Sequence, residues 1–375
     1  MATLHRFLAF RSTRRFIGLL PPSPYPQVSD DMNIQFLAPR HTLSIRASLL
    51  ALALAALLGS AQAAVFKDAQ LEALQDAGKY SELEQLAQAR LNAHAADAEA
   101  SAALSLALSF SAAGEAKRIE AGAKQARLCV EQHPDVAVCH LAMAQNLGQQ
   151  MLSVGMFKAM RMVDSLKAAW VRTLELDPSS FTGRVQLAKL YLTVPGMMGG
   201  SISKAKELEA AVRSSQPETA RLIRVFIAAE AKKWDEMERE LALLKPSKES
   251  AVQDEVREAT LQLAQQFLKD GKDLDKARRL YEGLLRDQPG KAGGHYGLAR
   301  VLAAQGQTDE AIRHLERAKT LSDAQDYPLD HRLGDAYLAK GDKAQAKAAY
   351  ERFIANKRSK PANVEAARKS LAQLG

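Results

Sequence analysis

Residues able to do chemistry are few in this chain, and they fall in two places. Between Thr193 and Ala205 runs TVPGMMGGSISKA. There Gly199 and Gly200 precede Ser201 and Ser203, either of which can N-cap a helix, and then Lys204. Those types in that order suit a helix start that holds an anion. They equally suit a longer structural turn, with Met197 and Met198 tucked onto a neighbour. A phosphate-binding P-loop is excluded, because the Gly-Lys-Ser/Thr ending is absent. The second place holds the only cysteines, Cys129 and Cys139, with Pro134 marking a turn between them. One cysteine late in a helix and the other early in the next come within disulfide range when the helices pack antiparallel. The other reading is two small buried thiols at alanine-like positions. Their spacing is not a zinc pattern, and His133 and His140 read as a turn residue and a helix-face residue.

Motifs for catalysis are missing. The chain has no Gly-x-Ser-x-Gly elbow, no His-Glu-x-x-His helix and no dinucleotide fingerprint. The carboxylate pairs Glu207/Glu209 and Glu236/Glu238 lie on polar helix faces, where solvated surface is the ordinary role. The formal net charge is +8, but Arg6, Arg11, Arg14, Arg15, Arg40 and Arg46 against Asp30 and Asp31 place half of it before residue 64. The remainder is a thin excess with no basic stripe, so nucleic acid is not an expected partner. The sequence reads as a non-enzyme without cofactor or metal.

The elements that must position these residues are legible further along. AGGHYGLARVLAAQGQTDEAIRHLERAKTL is followed by YPLDHRLGDAYLAKGDKAQAKAAYERFIANK. Aligning Gly306 with Gly341 puts Leu298-Ala299 on Leu333-Gly334, Leu302 on Tyr337, Ala311 on Ala346 and Leu315 on Tyr350. An offset of 35 residues is a helical-solenoid period. Small residues let two helices approach, larger ones fill the space around them, and glycine ends the first helix. The pattern resembles the tetratricopeptide repeat, a helix–turn–helix unit. That resemblance implies an all-α, right-handed superhelical solenoid of stacked antiparallel helix pairs. It is specific in the last three repeats and covers about 80% of the chain when carried backwards.

Carried backwards, the unit divides residues 64–360 into about eight pairs, with turns near Pro134, Pro178, Pro217 and Pro289. Trp234 would start the second helix of the fifth pair, and Pro361 a capping helix over 361–375. Ala188 and Ala205 lie 17 apart where Ala299 and Ala311 lie 12 apart, so the fourth pair carries an insertion at the glycine loop. That Pro-Gly-x-Met-Gly-Gly loop resembles one in a group of exported bacterial tetratricopeptide proteins. The resemblance further implies a concave groove, with Arg184 and Lys189, Tyr296 and Arg300, and His331 and Asp335 at the inward positions. Some relatives grip a peptide's terminal carboxylate there with a Lys/Asn clamp, which this sequence does not reproduce. Tyr and Arg in those positions suit an extended peptide.

The amino-terminal stretch is different in kind. Arg40 and Arg46 precede an apolar run, Leu49 to Leu58, that ends in Ala61-Gln62-Ala63. That is the layout of a secretory signal peptide over 32–63. Residues 1–31 read as a disordered extension before an initiator at Met32. Cleavage after Ala63 would give a periplasmic or secreted protein without a stable membrane anchor. The expected role is a scaffold or adaptor of the bacterial cell envelope that holds a protein or peptide in its groove. The rivals are an anion or glycan binder using loop 195–204, and an accessory subunit of an envelope enzyme.

Overall fold

The structure is a computed structural model and describes residues 63–111, 115–271, 273–356 and 361–374. The expected extension and leader, apart from Ala63, lie outside the described residues. From Ala69 onward helices alternate with short turns. The first pair is α1 (Ala69–Asp76) and α2 (Tyr80–Ala93), the second α3 (Ala98–Phe110) and α4 (Ala116–Gln132). The third is α5 (Ala137–Ser153) and α6 (Met156–Leu176), the fourth α7 (Phe181–Thr193) and α8 (Ile202–Ala210). The fifth is α9 (Pro217–Glu230) and α10 (Trp234–Ala242), the sixth α11 (Ser250–Leu268) and α12 (Leu274–Asp287). The seventh is α13 (Ala292–Ala304) and α14 (Thr308–Lys319), the eighth α15 (Leu329–Lys340) and α16 (Lys343–Ala355), and α17 (Pro361–Ala372) follows. No strand occurs among the described residues.

Local chemistry explains where these helices start and stop. Asp68, Asp97, Ser180, Ser201, Asp273 and Asp342 each cap a helix by accepting from an amide in its first turn. Gly306 and Gly341 follow the first helices of the last two pairs with φ of 77° and 85°, a backbone that costs other residues energy. Inside the pairs, Ala299, Ala311 and Ala346 are buried at the helix crossings, and Leu302, Leu315 and Tyr350 fill the space around them. Each helix packs on its neighbours in sequence, so every pair covers the apolar face of the one before. One boundary differs from expectation. Pro217 opens α9 as its first residue rather than closing the fourth pair, because a proline at that position forfeits no hydrogen bond.

Two features tie the stack beyond neighbour packing. Cys129 on α4 and Cys139 on α5 are joined, with their Cα atoms 5.3 Å apart. The closed loop is short, with a sequence separation of 10, so reduction or Cys129→Ser is expected to lower stability by about 2 kcal/mol. Urea melts with and without reductant measure it. The second tie joins distant parts of the chain. The Ser250 hydroxyl at the start of α11 donates to Asp76 at the end of α1, 174 positions away. Close by, burial and then Asp254 hold the Tyr80 phenol above its usual range. The Glu72 carboxylate accepts from the amides of Val65 (3.0 Å) and Phe66 (2.8 Å), fixing the segment that leads into α1.

The seventh pair carries a titrating contact between its helices. His295 on α13 and His314 on α14 meet Nδ1 to Nδ1 at 2.8 Å, one donating and one accepting. Burial first holds both below the ordinary histidine value of 6.5, followed by His314 and Arg317 for His295 and by Arg313 for His314. The unfolded chain therefore binds protons that the fold refuses, and stability falls as pH drops through about 6.5. The melting midpoint should decrease between about pH 7 and pH 5, and His314→Gln should flatten that slope.

Candidate functional site

A hollow of about 480 Å³ is lined mainly by the first helices of the fourth to seventh pairs. Lys189 comes from α7, Phe226 from α9, Glu258 from α11, Tyr296 and Arg300 from α13. Tyr281 of α12 and Tyr327, just before α15, complete an aromatic wall. The Tyr296 and Tyr327 rings lie 4.9 Å apart, and the Arg300 guanidinium stands 5.6 Å from the Tyr296 ring. Burial pushes the phenols of Tyr281 and Tyr327 up to about 12. Both stay protonated and able to donate at any physiological pH. Arg300 has no carboxylate partner among the described residues. It also borders a second hollow of about 230 Å³, shared with Arg332 and Asp335.

Lys189 sits in the same hollow but is engaged. Its ammonium lies 2.9 Å from Glu255 and 2.7 Å from Glu258, and 5.0 Å from the centre of the Phe226 ring. Gln186 donates to the other Glu255 oxygen at 2.6 Å. Burial works against the charge on Lys189, but the two carboxylates outweigh it and its pKa is raised. For Glu255 burial is the larger effect and raises its pKa, with Lys189 opposing.

Three of the six expected groove residues do not reach the main hollow. Arg184 is buried, and its guanidinium donates to the backbone oxygens of Pro178 (2.7 Å) and Leu208 (3.4 Å). It is held against its own pair and the turn before it and does not line the hollow. His331 is also buried, stacked on Phe353 at 5.2 Å and tilted against Tyr350 at 5.9 Å. Asp335 accepts from Tyr350 (2.8 Å) and Arg332 (2.9 Å), in the smaller hollow. Lys189, Tyr296 and Arg300 are brought together.

The glycine loop closes on itself. A one-turn helix, Gly196–Met198, takes up the inserted residues. The amides of Met198 and Gly200 donate to the Pro195 oxygen, that of Gly199 to Gly196, and that of Ser201 to Tyr191. Ser201 Oγ caps the Lys204 amide, the Ser203 hydroxyl donates to Glu207, and the Lys204 ammonium lies over the Tyr191 ring. A Cβ on Gly200 would stand 1.7 Å from the Val194 oxygen, so only glycine allows this closure. The amides of Met198, Gly199, Gly200 and Ser201 are thus spent on the chain's own carbonyls and are not offered to an anion.

The comparisons bear on the same part of the chain. Residues 268–321 and 331–356 each match a family model described as a tetratricopeptide repeat. These segments carry tetratricopeptide repeats. Among solved structures, yeast Tom70 is similar at a TM-score of 0.54 with 14% identity, over 78% of this chain and 59% of that one. The chain thus spans less than two thirds of that protein's length. A human IFIT1 dimer solved with m7Gppp-AAAA is similar at 0.50 with 15% identity, over 79% and 67%. PilF of Pseudomonas aeruginosa is similar at 0.40 with 15% identity, over 60% and 96%. No curated protein matches in sequence. At such identities the likeness concerns the fold alone, an all-α, right-handed superhelical solenoid of the tetratricopeptide kind.

Sequence reasoning missed Phe226, Tyr281, Tyr327 and the Glu255–Glu258 pair. The register of the repeat assigns Tyr281 to interior packing, and it does pack there with one edge left to the hollow. Tyr327 had a readable cue. The seventh and eighth pairs are joined by a longer link than the sixth and seventh, with an extra turn at Ala324–Asp326, and that surplus delivers Tyr327 inward.

Proposed function

We propose that the chain is a non-catalytic scaffold whose main hollow holds an extended, acid-bearing segment of a protein partner. The observation that carries this is Arg300, a guanidinium without a carboxylate partner among the described residues, set against Tyr296 and beside Tyr281. A planar cation backed by an aromatic ring and flanked by phenol donors suits a carboxylate on a peptide whose apolar neighbours lie on Phe226 and the tyrosines. Tetratricopeptide folds are protein-interaction scaffolds, which supports the class of partner. Envelope residence is the second half of the reading. It is supported by the leader-like layout of residues 32–63 and by a disulfide, which oxidising compartments preserve.

A positional-scanning library of unstructured, fluorescein-labelled decapeptides tests the groove by anisotropy. The reading expects Asp, Glu or a free carboxy terminus to be selected next to an apolar or aromatic residue. Binding that is indifferent to acidic residues, or that survives loss of Arg300, would refute it. Amino-terminal sequencing after cell fractionation tests location, and a chain recovered from the cytoplasm with residues 32–63 intact would sink that half alone.

A further inference from the structure

The third helix pair differs from the others at its outer end. α5 and α6 run 17 and 21 residues, whereas α7 and α8 run 13 and 9. The neighbouring glycine loop meets α6 at Lys167, since a Cβ on Gly199 would lie 2.8 Å from its Nζ. From there α6 continues back to Met156, so the hairpin end extends roughly 10 Å past the contact once the reach of the lysine side chain is allowed for. That end is apolar and uncovered. Leu152 is 83% exposed, Met156 70%, Phe157 79% and Met160 42%. Met197 on the adjoining loop is 91% exposed. Single exposed apolar residues are ordinary, but four large ones within nine positions of a projecting turn are not.

Charge identifies the surface such an end fits. No Asp or Glu occurs between Asp135 and Asp164, and Lys158 and Arg161 flank the apolar side chains. Unbranched methionines adapt to a fluid surface, and long basic side chains reach from an apolar layer to anionic groups above it. Four side chains at a hairpin end also fall short of the roughly 800 Å² per partner that a stable protein interface buries. No helix among the described residues is long and apolar enough to cross a membrane, so a contact with lipid here is peripheral. We propose that the α5–α6 hairpin end docks on an anionic phospholipid bilayer. Leu152, Met156, Phe157 and Met160 enter the interfacial layer while Lys158 and Arg161 meet the head groups. The contact is reversible and uses none of the residues that line the hollow.

The test uses the full chain, whose two cysteines are joined to each other, so a new cysteine can be labelled alone. An environment-sensitive nitrobenzoxadiazole group is placed at Leu152→Cys, and in a control chain at Gln88→Cys on the exposed face of α2. With phosphatidylglycerol–phosphatidylcholine vesicles the label at 152 should brighten and shift to the blue, and the label at 88 should not. Pure phosphatidylcholine should give little response. Lys158→Gln with Arg161→Gln should weaken vesicle partitioning by about 30-fold, from about 1 kcal/mol for each basic side chain near the surface. An unchanged label at 152 overturns the proposal, and so does a response that survives the double charge removal. Brightening that rises with protein concentration in the absence of vesicles also overturns it, in favour of a second copy of the chain.

Discussion

Lys189→Met is expected to destabilise the chain by about 3–5 kcal/mol near neutral pH, the cost of leaving a buried charge without its partner. The Lys189 and Glu255 side chains retain only 20% and 11% of their exposure, so water from the hollow replaces the lost ammonium only in part. Glu258 is 60% exposed, so solvent screens its share of the attraction. The penalty also depends on pH in a definite direction. Glu255 already titrates above its ordinary value because it is buried, and without Lys189 it moves higher still. A carboxyl whose folded pKa exceeds its unfolded one costs stability as pH rises from the unfolded value through the folded one. The variant should therefore recover part of its loss on mild acidification. Adding Glu255→Gln should restore stability at all pH values. Urea melts across that range decide it, and a variant that melts like the parent would show the pair to be solvent-screened.

Arg300→Glu should reduce peptide affinity by 100-fold or more while leaving the fold intact. A charge-assisted hydrogen bond contributes about 1.5–3 kcal/mol, and like charges in its place cost more. Together they exceed the roughly 2.7 kcal/mol that a factor of 100 requires. Arg300→Lys should lie between, because an ammonium cannot form the paired, planar contact. Affinity of the parent should fall with ionic strength more steeply than that of Arg300→Gln, which removes the charge. The fold survives because Arg300 makes no ion pair with the described residues and loses only its contact with Tyr296. Anisotropy with the selected decapeptide measures the change, and circular dichroism verifies the helices.

The architecture was readable because it depends on residue size at fixed spacing. Gly306 and Gly341 mark the turns, and Ala299, Ala311 and Ala346 mark the crossings, with no distant partner needed to interpret them. The site was readable only in part. Tyr296 and Arg300 face the hollow by register alone. Arg184 lies on the same helix as Lys189, yet the carbonyls of Pro178 and Leu208 hold its guanidinium away from the hollow. His331 is taken by Phe353, a residue of the following helix. Such outcomes depend on which acceptors the next element offers, and no periodicity encodes that. The glycine loop shows the same limit. Its composition fits an anion cradle, but whether the amides point outward is decided by Pro195 and Tyr191 carbonyls that close over them.

A stack in which each unit touches only its neighbours behaves like a row of dominoes. Its stability is a sum of local and nearest-neighbour contributions, and its ends can fray without the middle responding. The bond from Ser250 to Asp76 adds a contribution that such a sum lacks. Opening the first pair removes that bond from the sixth, a coupling of about 1 kcal/mol at an exposed position. Closing a loop of 174 positions costs entropy that one such bond offsets only in part, so it is expected to form after the neighbouring pairs have stacked.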